Sequence, residues 1–365
     1  MPIFMDLHIV PGVNAKDVAD AHSMDVLMEK EHSCKCLTYW IDELRGHVFC
    51  LIDAPNQESV IELHNRAHGL VPHKIVEVEP NLVYSFLGRI TDPDNAQVSD
   101  KGLIILDDTS YRILLCAQIC DTVLLQQAVG ADAAATLSAG FYKTIRQIAL
   151  QHHGREVIRE GQEYLASFVA ATDAFAAACA MQQALGTHSP LQWKLSIHAG
   201  EPIMQTDALF GDTVTMLRRM NLMAQPGFVQ LTNTVKVLLS SNQLASMQSH
   251  LQLFAPQDEP FITQLFDVLQ EHYAEEHFDI EQFAQAMAMS STQLYRKTQA
   301  LWQVSPNALL KEFRLQQALA MLRTKDASIA QISYATGFSS PSYFTKCFKN
   351  RFHMLPLQYT DMANQ

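Results

Sequence analysis

His64 and His68 stand four residues apart in LHNRAHG, a spacing that puts both rings on one side of a helix, where they can meet one ion. Asp6 and His8 alternate onto one face of an extended segment, and His22 and Asp25 share one face of a helical one. Cys50 sits on a strand. Imidazole with carboxylate suits nickel, zinc, copper or iron, and donor type alone does not choose among them. Seven of the fifteen histidines fall in the first eighty residues, an excess that asks for an account. The candidate metal ligands are His8, His22, Cys50, His64 and His68; a polar network or a small-molecule pocket is the other use for the same residues. His32, Cys34 and Cys36 form a second possible cluster.

The elements that must hold these groups are a strand (Ile3 to Val10), a helix (Ala15 to about Glu29), two strands (Cys36 to Asp42, His47 to Asp53), a helix (Gln57 to His68) and a strand (Lys74 to Val78). That order predicts a ferredoxin-like sandwich. The stretches MPIFMDLHIVPG with AH, YWIDELRGHVFCLIDAP and HNRAHG resemble a family of small ferredoxin-like proteins, some described as nickel-binding, over residues 1 to about 79. The matched positions include His8, His22, Cys50, His64 and His68, so the resemblance implies a sensor of a transition metal, nickel or zinc.

A second concentration of chemistry is electrostatic. The formal net charge is −12, yet residues 290–352 carry nine Lys or Arg against Glu312 and Asp326, leaving −19 for the rest. A basic surface on an acidic body is what a phosphate-binding module needs. Asp279 with Gln282, and Ser290 with Gln293, are capping boxes that open two short helices around the AMAMSS turn, a helix-turn-helix unit. The pattern repeats after 49 residues: Ile280 falls on Ile329, Ala288 on Gly337, Ser290 on Ser339 and Lys297 on Lys346. Phe344, Phe348 and Phe352 form one core stripe. Between the units, Ser305 and Pro306 open a helix to about Arg323, a rod of roughly 26 Å. Such a rod can hold two reading helices for major-groove faces that recur about every 34 Å.

From about 262 to 360 the chain resembles the AraC family of transcription regulators, most specifically in ISYATGFSSPSYFTKCFKNRFHMLPLQY. Carried over by position, Thr292, Tyr295 and Arg296 of the first reading helix and Ser342, Thr345 and Lys346 of the second face bases. Lys297, Lys311 and Lys349 are assigned to phosphates. Arg296 suits guanine edges, and Tyr295 and the threonine methyls suit thymine. The partner implied is double-stranded DNA.

From about 109 to 240 strands and helices alternate in an α+β order. REVIREGQEYLASF, KLSIHAGEPI and FGDTVTMLRRMNLMAQPGFVQLT resemble the class III nucleotide cyclases over roughly 130 residues. That family's reaction needs two carboxylates bridging two divalent ions. This chain has Gln118 and Gln162 at those positions, and an amide brings no charge to a magnesium site. Thr215 replaces the usual asparagine, and Arg219 stands where the transition-state arginine is expected, a candidate nucleotide ligand. Glu163, one position from Gln162, is expected to face the other side of its strand. The expectation is a degenerate module without catalytic residues.

The 365 residues allow two or three domains, the seven cysteines fit reduced thiols, and MPIFMDLHIV lacks a basic leader or an apolar run. No stretch approaches membrane-spanning length. The chain therefore reads as a multidomain α+β protein of the cytoplasm: a ferredoxin-like sandwich over 1–80, a linker over 81–108, a cyclase-like domain over 109–240, a linker over 241–261 and an all-α double helix-turn-helix domain over 262–360. It is expected to be a homodimeric regulator controlled by a metal or nucleotide effector. The alternatives are a nucleotide cyclase with an appended DNA-binding domain, and a constitutive DNA-binding protein whose front half only dimerises.

Overall fold

The computed structural model describes residues 1–94, 96–100, 102–157, 163–186 and 190–364, so Gln162 lies outside the described residues. The chain opens with β1 (Ile3–Ile9), α1 (Ala15–Met28), β2 (Lys35–Asp42), β3 (His47–Asp53), α2 (Gln57–Ala67) and β4 (Lys74–Glu77). The sheet order is β2-β3-β1-β4 with every pair antiparallel, a ferredoxin-like arrangement. Alternation along β1 sends its side chains into two different cores. Phe4 packs with Val48, Cys50 and Ile52 under Val18, Val60 and Leu63 of the helices. Met5 and Leu7 join Trp40, Phe49 and Leu51 on the opposite face. Asp6 and His8 thereby fall on the side covered by α1 and α2.

The interval 81–108 is not a plain linker. It holds most of α3 (Pro80–Leu87) and a small antiparallel pair, β5 (Gln97–Val98) with β6 (Ile104–Ile105). Val83, Phe86 and Leu87 are buried in the cluster that joins the first sheet to the second. Eight residues give too few turns for helical periodicity to show in the sequence. The end of α3 is held from outside: the buried Arg112 guanidinium donates to the carbonyl oxygens of Phe86 and Leu87, satisfying acceptors the helix cannot.

The middle region contains β7 (Arg112–Ile119), α4 (Thr122–Val129), α5 (Ala131–Gln151), β8 (Arg155–Glu156), β9 (Glu163–Phe168), α6 (Ala171–Leu185), β10 (Trp193–Gly200), α7 (Gly211–Met223), β11 (Val229–Leu231), α8 (Asn233–Lys236), α9 (Ser241–Ala245) and β12 (Leu251–Leu253). Its sheet has the order β12-β11-β10-β7-β9-β8. The four strands β10-β7-β9-β8 repeat the order β4-β1-β3-β2, so the chain traces the same path twice, the second time with β11 and β12 added in parallel. One face of this sheet packs on Phe141, Ile145, Phe175 and Met181 of α5 and α6. The other presents Leu114, Cys116 and Leu165 to the cluster that holds Met5, Trp40 and Phe49. The interval 241–261, expected as a second linker, instead supplies α9, the edge strand β12 and the start of the next helix.

The helical end comprises α10 (Asp258–His272), α11 (Ile280–Ala286), α12 (Ser291–Trp302), α13 (Pro306–Thr324), α14 (Ile329–Ala335), α15 (Pro341–Phe352) and α16 (Pro356–Ala363). The capping boxes form at Asp279, Ser290 and Ser328, and Ser305 and Ser340 cap the helices that Pro306 and Pro341 begin. Ala288 and Gly337, equivalent under the 49-residue shift, both take left-handed backbone, at φ +52° and +76°. Phe261, Leu265 and Phe266 of α10 close over Phe283, Leu294 and Trp302, and the same cluster takes in Met216 and Met220 of α7. The stripe Phe344, Phe348 and Phe352 packs with Leu319, Leu322 and Tyr359, and with Val123 of α4. Both helix-turn-helix units are thus docked on the body. Among the described residues no helix is long and apolar enough to cross a membrane.

Candidate metal centre and nucleic-acid interface

Asn14 caps α1 by accepting from the backbone of Lys16 and Asp17, which sets Asp25 on the buried side of that helix. Asn56 caps α2, and Gly69, at φ +78°, ends it by donating to the His64 carbonyl oxygen at 2.9 Å. His68 is fixed in the last turn as a result, with its Nδ1 accepting from the Leu70 backbone N–H at 3.1 Å. On this frame five side chains converge. His64, fully buried, places Nε2 3.0 Å from Asp6 Oδ2 and Nδ1 3.1 Å from Asp25 Oδ1. His68 Nε2 lies 3.2 Å from Asp25 Oδ1 and 3.2 Å from His64 Nδ1. His8 Nε2 is 3.2 Å from Asp6 Oδ1.

Two overlapping triads, Asp6–His8–His64 and Asp25–His64–His68, each bring three donor atoms within 4.8 Å of one another. Burial works against a charged His64, but the Asp6 charge and the hydrogen bonds to Asp25 and Asp6 outweigh it and hold its pKa up at about 10. Burial would raise the Asp6 carboxyl, yet His64 and His8 hold it well below the usual range. Asp25 is lowered in the same way, by its hydrogen bonds to His64 and His68. Asp6 Oδ1 is buried and meets His8 Nε2 at 3.2 Å as an ion-pair contact, with no donor aligned on it among the described residues. A buried carboxylate whose second oxygen has no well-aligned donor, beside two imidazoles, is an arrangement that a divalent cation fits.

The sequence named three of these five as ligands. Asp6 and Asp25 were seen to share faces with His8 and His22, but nothing in the sequence showed that α1 and β1 point those faces at one histidine. His22 and Cys50 are not in the cluster. Both nevertheless line, together with His8, Asp25, His64 and His68, one cavity of roughly 200 Å³; His22 stands there 3.8 Å from Asp92 and against the Tyr39 ring, and burial lowers its pKa. Cys50 pairs across strands with Asp6, and burial together with the Asp6 and Asp25 charges pushes its thiol up, away from the thiolate a metal takes. The set His32, Cys34 and Cys36 does not close on an ion either. Cys34 donates to the carbonyl oxygens of His32 and Ser59, and burial raises both thiols.

On the helical end, α12 leaves Thr292, Tyr295 and Arg296 exposed, and α15 leaves Ser342, Lys346 and Lys349 exposed with Thr345 half-buried. Lys311, on α13, is exposed too. Lys297 departs from its expected role: its ammonium turns to Asp258 at 3.4 Å and over the Phe261 ring, bracing α12 to α10. Three more of the nine basic residues are likewise engaged internally. Arg314 donates to the backbone carbonyls of Tyr273 and Glu275, Arg351 grips Glu312, and Arg323 donates to the Tyr359 hydroxyl. Arg296, Lys311, Lys325, Lys346 and Lys349 remain as exposed cations.

Arg219 is engaged by α10, donating to the Thr263 carbonyl and pairing with Asp267, so it forms an ion pair where a nucleotide ligand was expected. Gln118 and Glu163 are register partners on β7 and β9 and line the same cavity. Glu163 thus stands on the side of Gln118, where it was expected to face away; its relation to Gln162 lies outside the described residues. Its carboxylate is gripped by Arg218 at 2.6 Å.

Residues 283–362 match the family described as Helix-turn-helix domain, and residues 4–78 match that described as Nickel responsive protein SCO4226-like. Histidine kinase P4 of Formosa agariphila is 39% identical over 108 residues, which are 30% of this chain and 8% of that protein. The HTH-type transcriptional regulator MtrA of Neisseria gonorrhoeae is 31% identical over 91 residues, 25% of this chain and 30% of that one. A solved structure of Trypanosoma brucei adenylate cyclases covers 38% of this chain and 78% of its own at 16% identity and a TM-score of 0.33. The chain thus spans about a third or less of the curated relatives it matches. It carries an AraC-type helix-turn-helix domain at one end, and a module similar to the nickel-responsive family at the other.

Proposed function

We propose that this chain is a sequence-specific regulator of transcription that binds double-stranded DNA through α12 and α15 and is controlled by a transition metal held in its first module. The observation that carries the DNA-binding part is the pair of capped helix-turn-helix units, joined by α13, whose second helices keep their polar faces exposed. Control by nickel or zinc is supported by the two triads that share His64. Asp6, His8 and His64 would hold the ion and tie β1 to α2, or Asp25, His64 and His68 would hold it and tie α1 to α2. Free cysteines throughout are in keeping with a cytoplasmic setting, and a homodimer is the assembly proposed. The chain is proposed not to be a cyclase: Gln118 carries no charge, and Glu163, its partner across the strands, is paired with Arg218.

Selection from a pool of random duplexes, first with metal-stripped protein and then with nickel or zinc, tests both parts. A selected site whose affinity changes about fivefold or more on adding one metal, a coupling near 1 kcal/mol, is the expected outcome. No enriched sequence under any condition would sink the DNA-binding claim, and enrichment indifferent to metal would sink the control by metal.

The contact assignments separate in the same assay. Arg296→Ala should relax the base preference at one position by about 1–3 kcal/mol. Lys349→Ala should weaken all duplexes alike and lower the slope of log affinity against log salt by about one. Lys297→Ala should leave that slope unchanged, since its charge is already spent on Asp258; a lowered slope there would return Lys297 to the interface.

A further inference from the structure

The metal centre and the exposed helix faces leave unexplained the seam where the helical head meets the body. A cavity of roughly 560 Å³ lies there, walled by β7, β9, β10 and α7 on the body side and by α13 and α15 on the head side. Four cations line it: Lys194 and Arg218 from the body, Arg323 and Arg351 from the head. Three have carboxylates. Arg218 holds Glu163 at 2.6 Å, Arg351 holds Glu312 at 2.7 Å, and Arg323 is 3.5 Å from Asp121.

Lys194 has no carboxylate partner among the described residues. It projects from β10 opposite Gln118, and its ammonium donates to the Leu222 carbonyl oxygen at 3.2 Å. Burial pushes the pKa of this ammonium down; Cys120 and the Glu312 carboxylate oppose that shift in part, and nearby Arg351 adds to it. A secluded cation with one neutral acceptor is costly to keep, and the cost is relieved when an anion meets it.

We propose that this seam is a binding site for a phosphate-bearing anion, with Lys194 at its centre and the forked guanidiniums of Arg323 and Arg351 closing on it from the head. The ammonium serves as the point charge, and each guanidinium, held in place by Glu312 or by Tyr359 and Asp121, offers its remaining N–H donors to a phosphate oxygen. Because its ligands come from both sides, the anion fastens the head in the docked position. It then alters DNA affinity to the extent that docked and undocked heads bind DNA differently. The site itself is independent of the proposed function; only this last coupling rests on it.

The test uses the full chain without divalent metal, at constant ionic strength, titrated with inorganic pyrophosphate, inorganic phosphate and ATP, and read as thermal midpoint. A saturable rise of several degrees with pyrophosphate is expected. A response to ATP at lower concentration than to pyrophosphate assigns the phosphate to a nucleotide, and an equal response assigns it to the free anion. Lys194→Met should abolish the rise while keeping or raising the starting midpoint. Gln118→Glu, which sets a carboxylate opposite Lys194, should abolish it too, so that a folding failure of one variant leaves the other to decide. No saturable rise in the wild type, or the same rise in a folded variant, overturns the site. Pyrophosphate should also change affinity for a selected duplex in the wild type but not in Lys194→Met; a thermal response without that change removes the coupling and leaves the site standing.

Discussion

His64→Ala should lower stability by about 3–5 kcal/mol, the cost of breaking a buried ion pair by removing one partner. The reason is what stays behind. Asp6 and Asp25 are buried at 0% and 2% exposure, and without the imidazolium between them two carboxylates confront each other in a medium that cannot screen them. Denaturant unfolding of the metal-free protein measures the loss. Adding Asp6→Asn and Asp25→Asn to the His64→Ala chain should recover part of it, because the penalty belongs to the stranded charges. A loss below about 1 kcal/mol, or no recovery, would mean that the cluster is not charged as described. The pH dependence has two edges. His64 is raised, so its contribution is complete below its unfolded pKa of about 6.5 and fades as pH rises through about 10. The two aspartates are depressed, so theirs is present above about pH 4 and is lost as pH falls further into acid. His64→Ala should also remove any midpoint rise caused by nickel or zinc, since both triads use that ring.

Gly337→Ala should cost roughly 3 kcal/mol or more and weaken DNA binding with it. Left-handed backbone costs an L-residue about 1–2 kcal/mol, and steric overlap adds more than that. A methyl group at Gly337 would overlap the Tyr273 carbonyl oxygen and stand 2.8 Å from Arg314 Nε. Those two atoms form the 2.8 Å hydrogen bond by which α13 holds the end of α10. The first unit supplies its own control. Ala288 takes the same left-handed conformation without being glycine, so Ala288→Gly should be neutral or stabilising by up to about 1 kcal/mol. Equilibrium unfolding of the two variants should therefore move in opposite directions. A Gly337→Ala chain within about 0.5 kcal/mol of wild type would show that the second turn is not packed as described.

Local signals carried most of what was legible in the sequence. Capping pairs such as Ser290 with Gln293, and alternation along β1 and β3, placed elements to within a residue or two, because both depend on neighbours in the chain. What stayed hidden depended on distant partners. β12 is three residues long and reads as a strand only beside β11. The sequence offered Lys297 as a cation but not Asp258 as its destination, and it showed that Asp25 shared a face with His22 but not that this face turns to His64. Cys50 illustrates the limit most sharply: it lies next to the right carboxylate, yet its burial, together with that same negative charge, keeps its sulfur protonated.

The helix α10 belongs to two structures at once. Its apolar side roofs the first helix-turn-helix unit through Phe261, Leu265 and Phe266, and its cluster also includes Met216 and Met220 of α7. A fragment cut at Phe283 would leave Phe283, Leu294 and Trp302 unroofed. A cut ahead of Asp258 would keep the roof on the head and strip the cover from α7. No severing point spares both, so this head is not an interchangeable cassette, and grafting it onto another protein means taking that protein's surface as a substitute for α7. The same sharing gives any tilt of α7 a solid object to push.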